Sequence, residues 1–262
     1  MRVDFHLHTC LSDGGLAPED LLREVRRNRV DHFAVTDHDT LAGFFALRGT
    51  AGLLPGVEVT AEAEGGEVHV VGLGFDPEDA VFTRFLAHIR AVRRERIARL
   101  IASVNEQDRL TPATIAPKAE AVTRFHLALA LVQVGRAHSI RDAFEALIGD
   151  AHCAMLELPP YPDVAGTAEA IRAAGGVAIL AHPGVYGDLS TVRRHLDQGL
   201  DGLETAHPKL DEALAIDLEA EARRRGILES CGSDTHVVGS RRPGDPQLAE
   251  VRIQPLVQRL VA

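Results

Sequence analysis

The chain has 262 residues, a formal net charge of -10, no tryptophan and three cysteines. The acidic balance excludes a broad basic surface for long duplex DNA, where affinity comes from neutralising many phosphates. Cys10, Cys153 and Cys231 are widely separated and show no CxxC spacing, and no apolar run reaches membrane-spanning length, so a cytoplasmic protein with reduced thiols and one main core is expected.

In chain order, short apolar runs that end in polar residues predict strands at Val3 to Leu7, His32 to Thr36, Gly56 to Thr60, Val68 to Leu73, Val177 to Ala181, Gly202 to Thr205 and Ile227 to Ser230. Helical periodicity fills most of the gaps, as in Pro18 to Arg29 after an acidic start, Ala165 to Ala174 and Asp211 to Arg225. This alternation implies a parallel sheet, closed or open. One exception is "GVEVTAEAEGGEVHVVGLG", where Gly65 and Gly66 separate two strand-like runs as in a hairpin. From Phe82 the pattern changes to a long amphipathic helix through Val104, followed by helices around Thr123 to Val134 and Ser139 to Ile148. A helical insertion at 81–160 therefore divides an α/β domain made of 1–80 and 161–262.

The polar residues at the strand ends carry the chemistry. His6, His8 and Asp13 follow the first strand, and later runs lead into "TDHDT" with His38, "GVEVT" with Glu58, "EVHVVG" with His69, "LAHPG" with His182 and "CGSDTH" with Asp234 and His236. Functional groups in parallel α/β folds gather where the carboxyl ends of the strands converge, so these side chains are expected to meet. Imidazole and carboxylate together make the ligand set of zinc, manganese or iron, and two histidines at i, i+2 on a strand share one face. Taken singly, each has a plainer reading as a core or turn residue. Asp4, Asp37 and Asp39, beside these candidates, read either as acceptors for imidazole N–H groups or as turn formers.

"DFHLHTCLSDG", "AVTDHDT", "GVEVT", "HVVGLG", "AILAHPG" and "GSDTH" resemble, in order and across nearly the whole chain, the motifs of the PHP (polymerase and histidinol phosphatase) family. The resemblance implies a distorted (β/α)7 barrel of the TIM-like type with three divalent metal ions, manganese, iron or zinc, at the strand ends. His6, His8, Glu58 and Asp234 would hold one ion, Glu58 would bridge to a second held by His69 and His182, and Asp13, His38 and His236 would hold the third. A hydroxide between the ions that share Glu58 would attack phosphorus.

The helical insertion resembles that of stand-alone members acting on 3',5'-bisphosphonucleotides or trimming short RNA from its 5' end. Arg124 and His126 in "TRFHLALALV" match that branch's Arg-x-His phosphate-binding segment, although Thr123 and Phe125 depart from its usual Gly-Arg-Pro-His. His207 in "ETAHPKL" is the expected proton donor to the leaving group, or else a helix cap or phosphate ligand. The Arg-rich "RAVRRERIAR" reads as a solvated helix face. The expected partner is a small phosphorylated substrate, a nucleotide or short oligonucleotide. Histidinol phosphate or another small phosphomonoester is the alternative, and a noncatalytic interaction module is a third reading. An amidohydrolase with a bridging lysine is disfavoured, because Lys118 and Lys209 are the only lysines and neither reads as a strand end.

Overall fold

A computed structural model of the chain describes residues 1–64, 66–104, 110–237, 239 and 241–261. The first three strands, β1 (Val3–Leu7), β2 (His32–Val35) and the two-residue β3 (Leu53–Leu54), form a parallel sheet in that order. A second sheet runs β4 (Gly56–Ala63), β5 (Gly66–Leu73), β6 (Val177–Leu180), β7 (Gly202–Ala206) and β8 (Leu228–Cys231). Within it, β5 is antiparallel to both β4 and β6, whereas β6, β7 and β8 are parallel. Single parallel bridges, Leu7 to Thr235 and His38 to Glu58, join the two sheets on both sides. The predicted hairpin is present, with Ala63 paired to Gly66; Gly65 lies outside the described residues.

Helix ends follow local chemistry. In α1 (Pro18–Arg27), Pro18 occupies the first turn, where no N–H is needed, with Glu19 and Asp20 at the positive end of the dipole and Arg26 and Arg27 at the negative end. Leu21 and Val25 form its buried stripe. The short α2 (Ala42–Ala46) follows β2.

The long α3 (Ala80–Val104) joins two cores. Its first half sends Phe82, Leu86 and Ile89 into the cluster that holds Val57, Val59, Val70 and Leu180 of the sheet. Its second half sends Ile97, Leu100 and Ile101 into a separate cluster with Leu127, Leu131 and Ile148, built by α4 (Pro112–Ile115), α5 (Arg124–Gln133), α6 (Ile140–Ala143) with the π-helical turn Phe144–Ile148, and α7 (Asp150–Ala154). The helical segment is thus rooted in the sheet core through α3; residues 105–109 lie outside the described part of it.

Beyond the insertion, α8 (Val164–Ala173), α9 (Leu189–Leu196), α10 (Glu212–Arg225) and α11 (Glu250–Val261) alternate with β6 to β8. Asp211 caps α10 by accepting the Leu214 N–H at 2.8 Å, and Gly226 at φ +65 ends it in the left-handed region. Every predicted strand is present; β3, α2, α4, α7, α9 and α11 are additional.

Candidate metal centre and substrate cavity

Glu58 is the hub of the site. It is 1% exposed, and its Oε2 lies 3.2 Å from His6 Nε2, 3.2 Å from His8 Nε2 and 3.3 Å from His38 Nδ1. Its Oε1 lies 3.1 Å from His69 Nδ1 and 2.8 Å from His182 Nε2. Asp13 reaches His236 Nε2 at 3.2 Å through one oxygen and His38 Nε2 at 3.5 Å through the other. Asp234 Oδ1 lies 3.1 Å from His236 Nδ1, 3.6 Å from His8 Nε2 and 3.8 Å from His6 Nε2. All nine residues singled out by the sequence therefore converge.

The strand-end rule needs one amendment. Glu58 is the third residue of β4, which runs on into the hairpin, and His69 lies in the first half of the antiparallel β5. Because β5 runs backwards, its early residues face the same end of the sheet as the late residues of its neighbours. Two ligand candidates sit on strained backbone, His182 at φ +30 and Asp234 at φ +51. A left-handed non-glycine residue costs on the order of 1–3 kcal/mol, which the surroundings must offset.

The donor chemistry fits divalent ions. Ligand-type atoms within 4.8 Å of one another occur as His8, Asp13, His38 and His236; as His6, His8 and Glu58; as His38, Glu58 and His69; and as His6, Glu204 and His207. Buried side-chain nitrogens without a hydrogen-bond partner include His38 Nδ1, His182 Nδ1 and His207 Nε2. Burial acts to raise Glu58, but His38, His6 and His69 outweigh it and hold the carboxyl well below its ordinary range. Asp13 and Asp234 are also held low: burial opposes, and the surrounding imidazoles prevail. Burial pushes His182 down to about 4, leaving the neutral imidazole that ligates metals. His6 and His236 are raised well above the ordinary value; burial opposes the shift, but Glu204 and Glu58 act on His6 and Asp13 and Asp234 on His236. A cation held by His6 or His236 would have to displace a proton there.

The supporting residues differ from those the sequence suggested. Asp4 accepts backbone N–H groups from His6 at 3.2 Å, Ser233 at 3.0 Å and Gly244 at 2.6 Å, tying β1 to the loop after β8. Asp37 holds the Thr9 N–H and the Thr9 and Ser12 hydroxyls, each at 2.7 Å, and reaches His8 only through Ser12, whose Oγ lies 3.4 Å from Nδ1. Asp39 takes the Thr60 N–H and Arg93. All three are thus turn and loop anchors. The imidazole-orienting carboxylate is Glu204, which sequence reasoning missed. Its Oε1 lies 2.9 Å from His6 Nδ1 and its Oε2 accepts the His182 N–H at 2.5 Å, so one side chain on β7 fixes two histidines on opposite sides of Glu58. Its signal in the sequence is a lone carboxylate inside an apolar strand.

Gly232 lets Glu204 and His6 meet. A Cβ there would lie 2.2 Å from His6 Cβ and 2.8 Å from Glu204 Oε1. Gly232→Ala is expected to destabilise the fold by about 1–3 kcal/mol through overpacking and to reduce bound metal, as read by thermal unfolding and elemental analysis. Wild-type metal content in that variant would show that the contact is not needed.

Above the centre opens a cavity of about 720 Å³ bordered by Arg93, Arg124, Phe125, Phe144, Tyr186, His195 and Lys209, besides the ligand candidates other than His6 and His8. Arg124 lines it and pairs with Asp150 at 2.6 Å and Glu67 at 3.2 Å. His126 is not among the lining residues; its Nδ1 accepts the Thr123 N–H at 3.0 Å, capping α5. His207 is likewise absent from the lining, and its side chain is 0% exposed. It accepts the Lys209 N–H on Nδ1 at 3.1 Å, which puts its own proton on Nε2, 3.4 Å from Asp234 Oδ2. That geometry places His207 beside Asp234 and behind the cavity lining, away from the position of a proton donor to substrate. Lys209, three residues beyond β7, does reach the strand-end face, contrary to expectation.

The chain is 34% identical over 250 residues to the 5'-3' exoribonuclease Rnm of Escherichia coli, covering 89% of this chain and 84% of the relative. It is 31% identical over 263 residues to the 3',5'-nucleoside bisphosphate phosphatase of Chromobacterium violaceum, covering 91% and 88%. A candidate metal-dependent phosphoesterase from Bifidobacterium adolescentis, known as a crystal structure, superimposes with a TM-score of 0.85 at 27% identity over 99% of this chain and 96% of its own. The chain belongs to the PHP family of metal-dependent phosphoesterases. No protein-family model matches the sequence. For a PHP phosphoesterase, nine ligand candidates beneath a cavity with an arginine on its wall are a coherent arrangement.

Proposed function

We propose that this chain hydrolyses nucleotide phosphoesters, 3',5'-bisphosphonucleotides or the 5' ends of short oligonucleotides, at a three-metal centre in the cytoplasm. The carrying observation is the convergence of Glu58 with five histidines beneath a cavity that also presents Arg124. The paired sheets, bridged on both sides, support the distorted (β/α)7 barrel as the frame. Within it, His6, His8, Glu58 and Asp234, then Glu58, His69 and His182, then Asp13, His38 and His236 are the three ligand groups. Manganese, iron and zinc all suit this mixture of imidazole and carboxylate. Free cysteines and the absence, among the described residues, of a helix long and apolar enough to cross a membrane accord with the cytoplasmic assignment.

Divalent ions held by these residues would supply Lewis acidity toward phosphoryl oxygens and would lower the pKa of bound water. The protein's part is positioning. Glu58, shared by both sides, sets the spacing of the imidazoles, while Glu204 and Asp234 keep His6, His182 and His236 in place. Arg124 offers a fork-shaped cation for a phosphate oxygen, in exchange for its present partners Glu67 and Asp150. Phe125 and Phe144 give the cavity flat apolar faces suited to a base, and the volume suits a nucleotide. Glu64, Glu67, Glu145 and Asp150 on the wall repel additional phosphates, which favours short substrates.

A phosphate-release assay on the manganese-loaded protein should show turnover of 3',5'-bisphosphonucleotides or mononucleotide release from 5'-phosphorylated oligonucleotides. Either should exceed histidinol phosphate by roughly tenfold or more in kcat/KM, a difference of about 1.4 kcal/mol. Preference for histidinol phosphate, or no turnover of any of them, sinks this reading.

A further inference from the structure

The loop after β7 carries a cation with no task in the arrangement so far. Lys209 borders the cavity, and its Nζ lies 3.1 Å from Asp234 Oδ2. That same oxygen already has Arg241 Nη1 at 2.7 Å and His207 Nε2 at 3.4 Å. Arg241 also donates to the Asp234 carbonyl at 2.8 Å, so one guanidinium grips both the side chain and the main chain of this left-handed residue. Asp234 is held without Lys209. The other cations on the cavity wall are committed to carboxylates outside the metal-ligand set, Arg93 to Asp39 and Arg124 to Glu67 and Asp150. Lys209 alone among the described lining cations pairs with a ligand candidate.

The backbone beneath Lys209 is pinned. Its N–H donates to His207 Nδ1 at 3.1 Å, and the Leu210 N–H donates to the His207 carbonyl at 3.0 Å. Gly184, two residues after His182, packs so closely that a Cβ would come within 2.3 Å of the Lys209 carbonyl oxygen. From this fixed base the side chain stays 38% accessible on the cavity side. A compact ammonium on a flexible stem is a point-charge phosphate binder. A divalent ion held by Asp234 would take up part of that carboxylate's charge and would leave the Lys209 ammonium free for an anion beside it.

We propose that Lys209 binds an anionic oxygen of the phosphoryl group being hydrolysed, a phosphate contact separate from Arg124. This rests on reading the site as a phosphoester hydrolase. The test compares wild type with Lys209→Met, Lys209→Gln and Lys209→Arg in the full manganese-loaded chain. It follows metal content by elemental analysis, inorganic phosphate binding by calorimetry, and KM and kcat with p-nitrophenyl phosphate. Both neutral variants should keep the wild-type metal content and weaken phosphate binding at least roughly tenfold, and Lys209→Arg should restore it to within about threefold. Metal loss in the neutral variants would make Lys209 a mere prop for Asp234, and unchanged phosphate affinity would remove the contact altogether; either result overturns the proposal. Lys209-dependent phosphate binding by a protein inert toward every nucleotide would instead overturn the substrate assignment and leave this contact standing.

Discussion

Glu58→Gln is expected to lower kcat/KM by roughly a thousandfold or more and to cut the bound metal. Divalent ions contribute several kcal/mol of charge stabilisation to phosphoryl transfer, and each 1.4 kcal/mol is a factor of ten. The substitution keeps the shape of the side chain but replaces one acceptor oxygen with an N–H donor. Glu58 meets five imidazole nitrogens within 3.3 Å, three at Oε2 and two at Oε1, so neither orientation of the amide preserves both sides. Relief from burying a carboxylate means that the fold should survive, with a circular dichroism spectrum like that of wild type. Elemental analysis of the purified variant beside its kinetics decides the matter. Full metal content with normal turnover would show that Glu58 is not the bridge between ligand groups.

Much of this centre was legible because the ligand candidates are polar residues in places where a buried strand should be apolar. His6, Glu58 and His69 interrupt Val- and Leu-rich runs, and the strand-end rule gathers them without knowledge of the tertiary structure. Glu204 interrupts a run in the same way, yet it lay outside the motifs and went unread. Asp4, Asp37 and Asp39 show the opposite failure. Asp37 and Asp39 flank His38 in the turn after β2 and Asp4 lies two residues before His6, yet all three carboxylates are taken up by backbone N–H groups, by hydroxyls or by Arg93. Arg124 reaches the cavity as expected, whereas His126, two positions on along α5, is consumed by capping. Sequence spacing fixes which face a residue occupies and leaves open what it bonds.

The arginines of α3 depart furthest from the sequence pattern. Periodicity marked Phe82, Leu86, Ile89 and Ile97 as one apolar stripe and left "RAVRRERIAR" to solvent, yet Arg93 and Arg96 are 3% and 6% exposed. The helix is covered on a second side by the β4 and β5 hairpin and by Tyr161, over whose ring Arg96 sits at 4.4 Å. Arg96 also lies 3.6 Å from Glu62 and 3.5 Å from Glu67. Arg94 and Arg99 do face solvent. A one-dimensional pattern registers apolar burial but carries no mark for burial through ion pairs.

Arg93→Met is accordingly expected to destabilise the protein by about 3–5 kcal/mol, the usual cost of leaving a buried charge without its partner. Arg93 bonds Asp39 Oδ2 through Nε at 2.8 Å and Nη2 at 2.7 Å, and it also donates to the Thr60 hydroxyl. Asp39 itself is 0% exposed at φ +53, and its N–H donates to the Glu58 carbonyl at 2.9 Å. Arg90 adds a bond to the Asp39 carbonyl at 2.6 Å, so α3 clamps the turn that carries His38 against the strand that carries Glu58. At roughly 2–4 °C per kcal/mol for a domain of this size, the thermal midpoint should fall by on the order of 10 °C. Asp39→Asn in the Arg93→Met background removes the stranded charge and should recover part of the loss, a coupling that a double-mutant cycle measures directly. Additive losses across that cycle would mean that the two side chains act independently and that α3 does not brace the candidate metal centre through this pair.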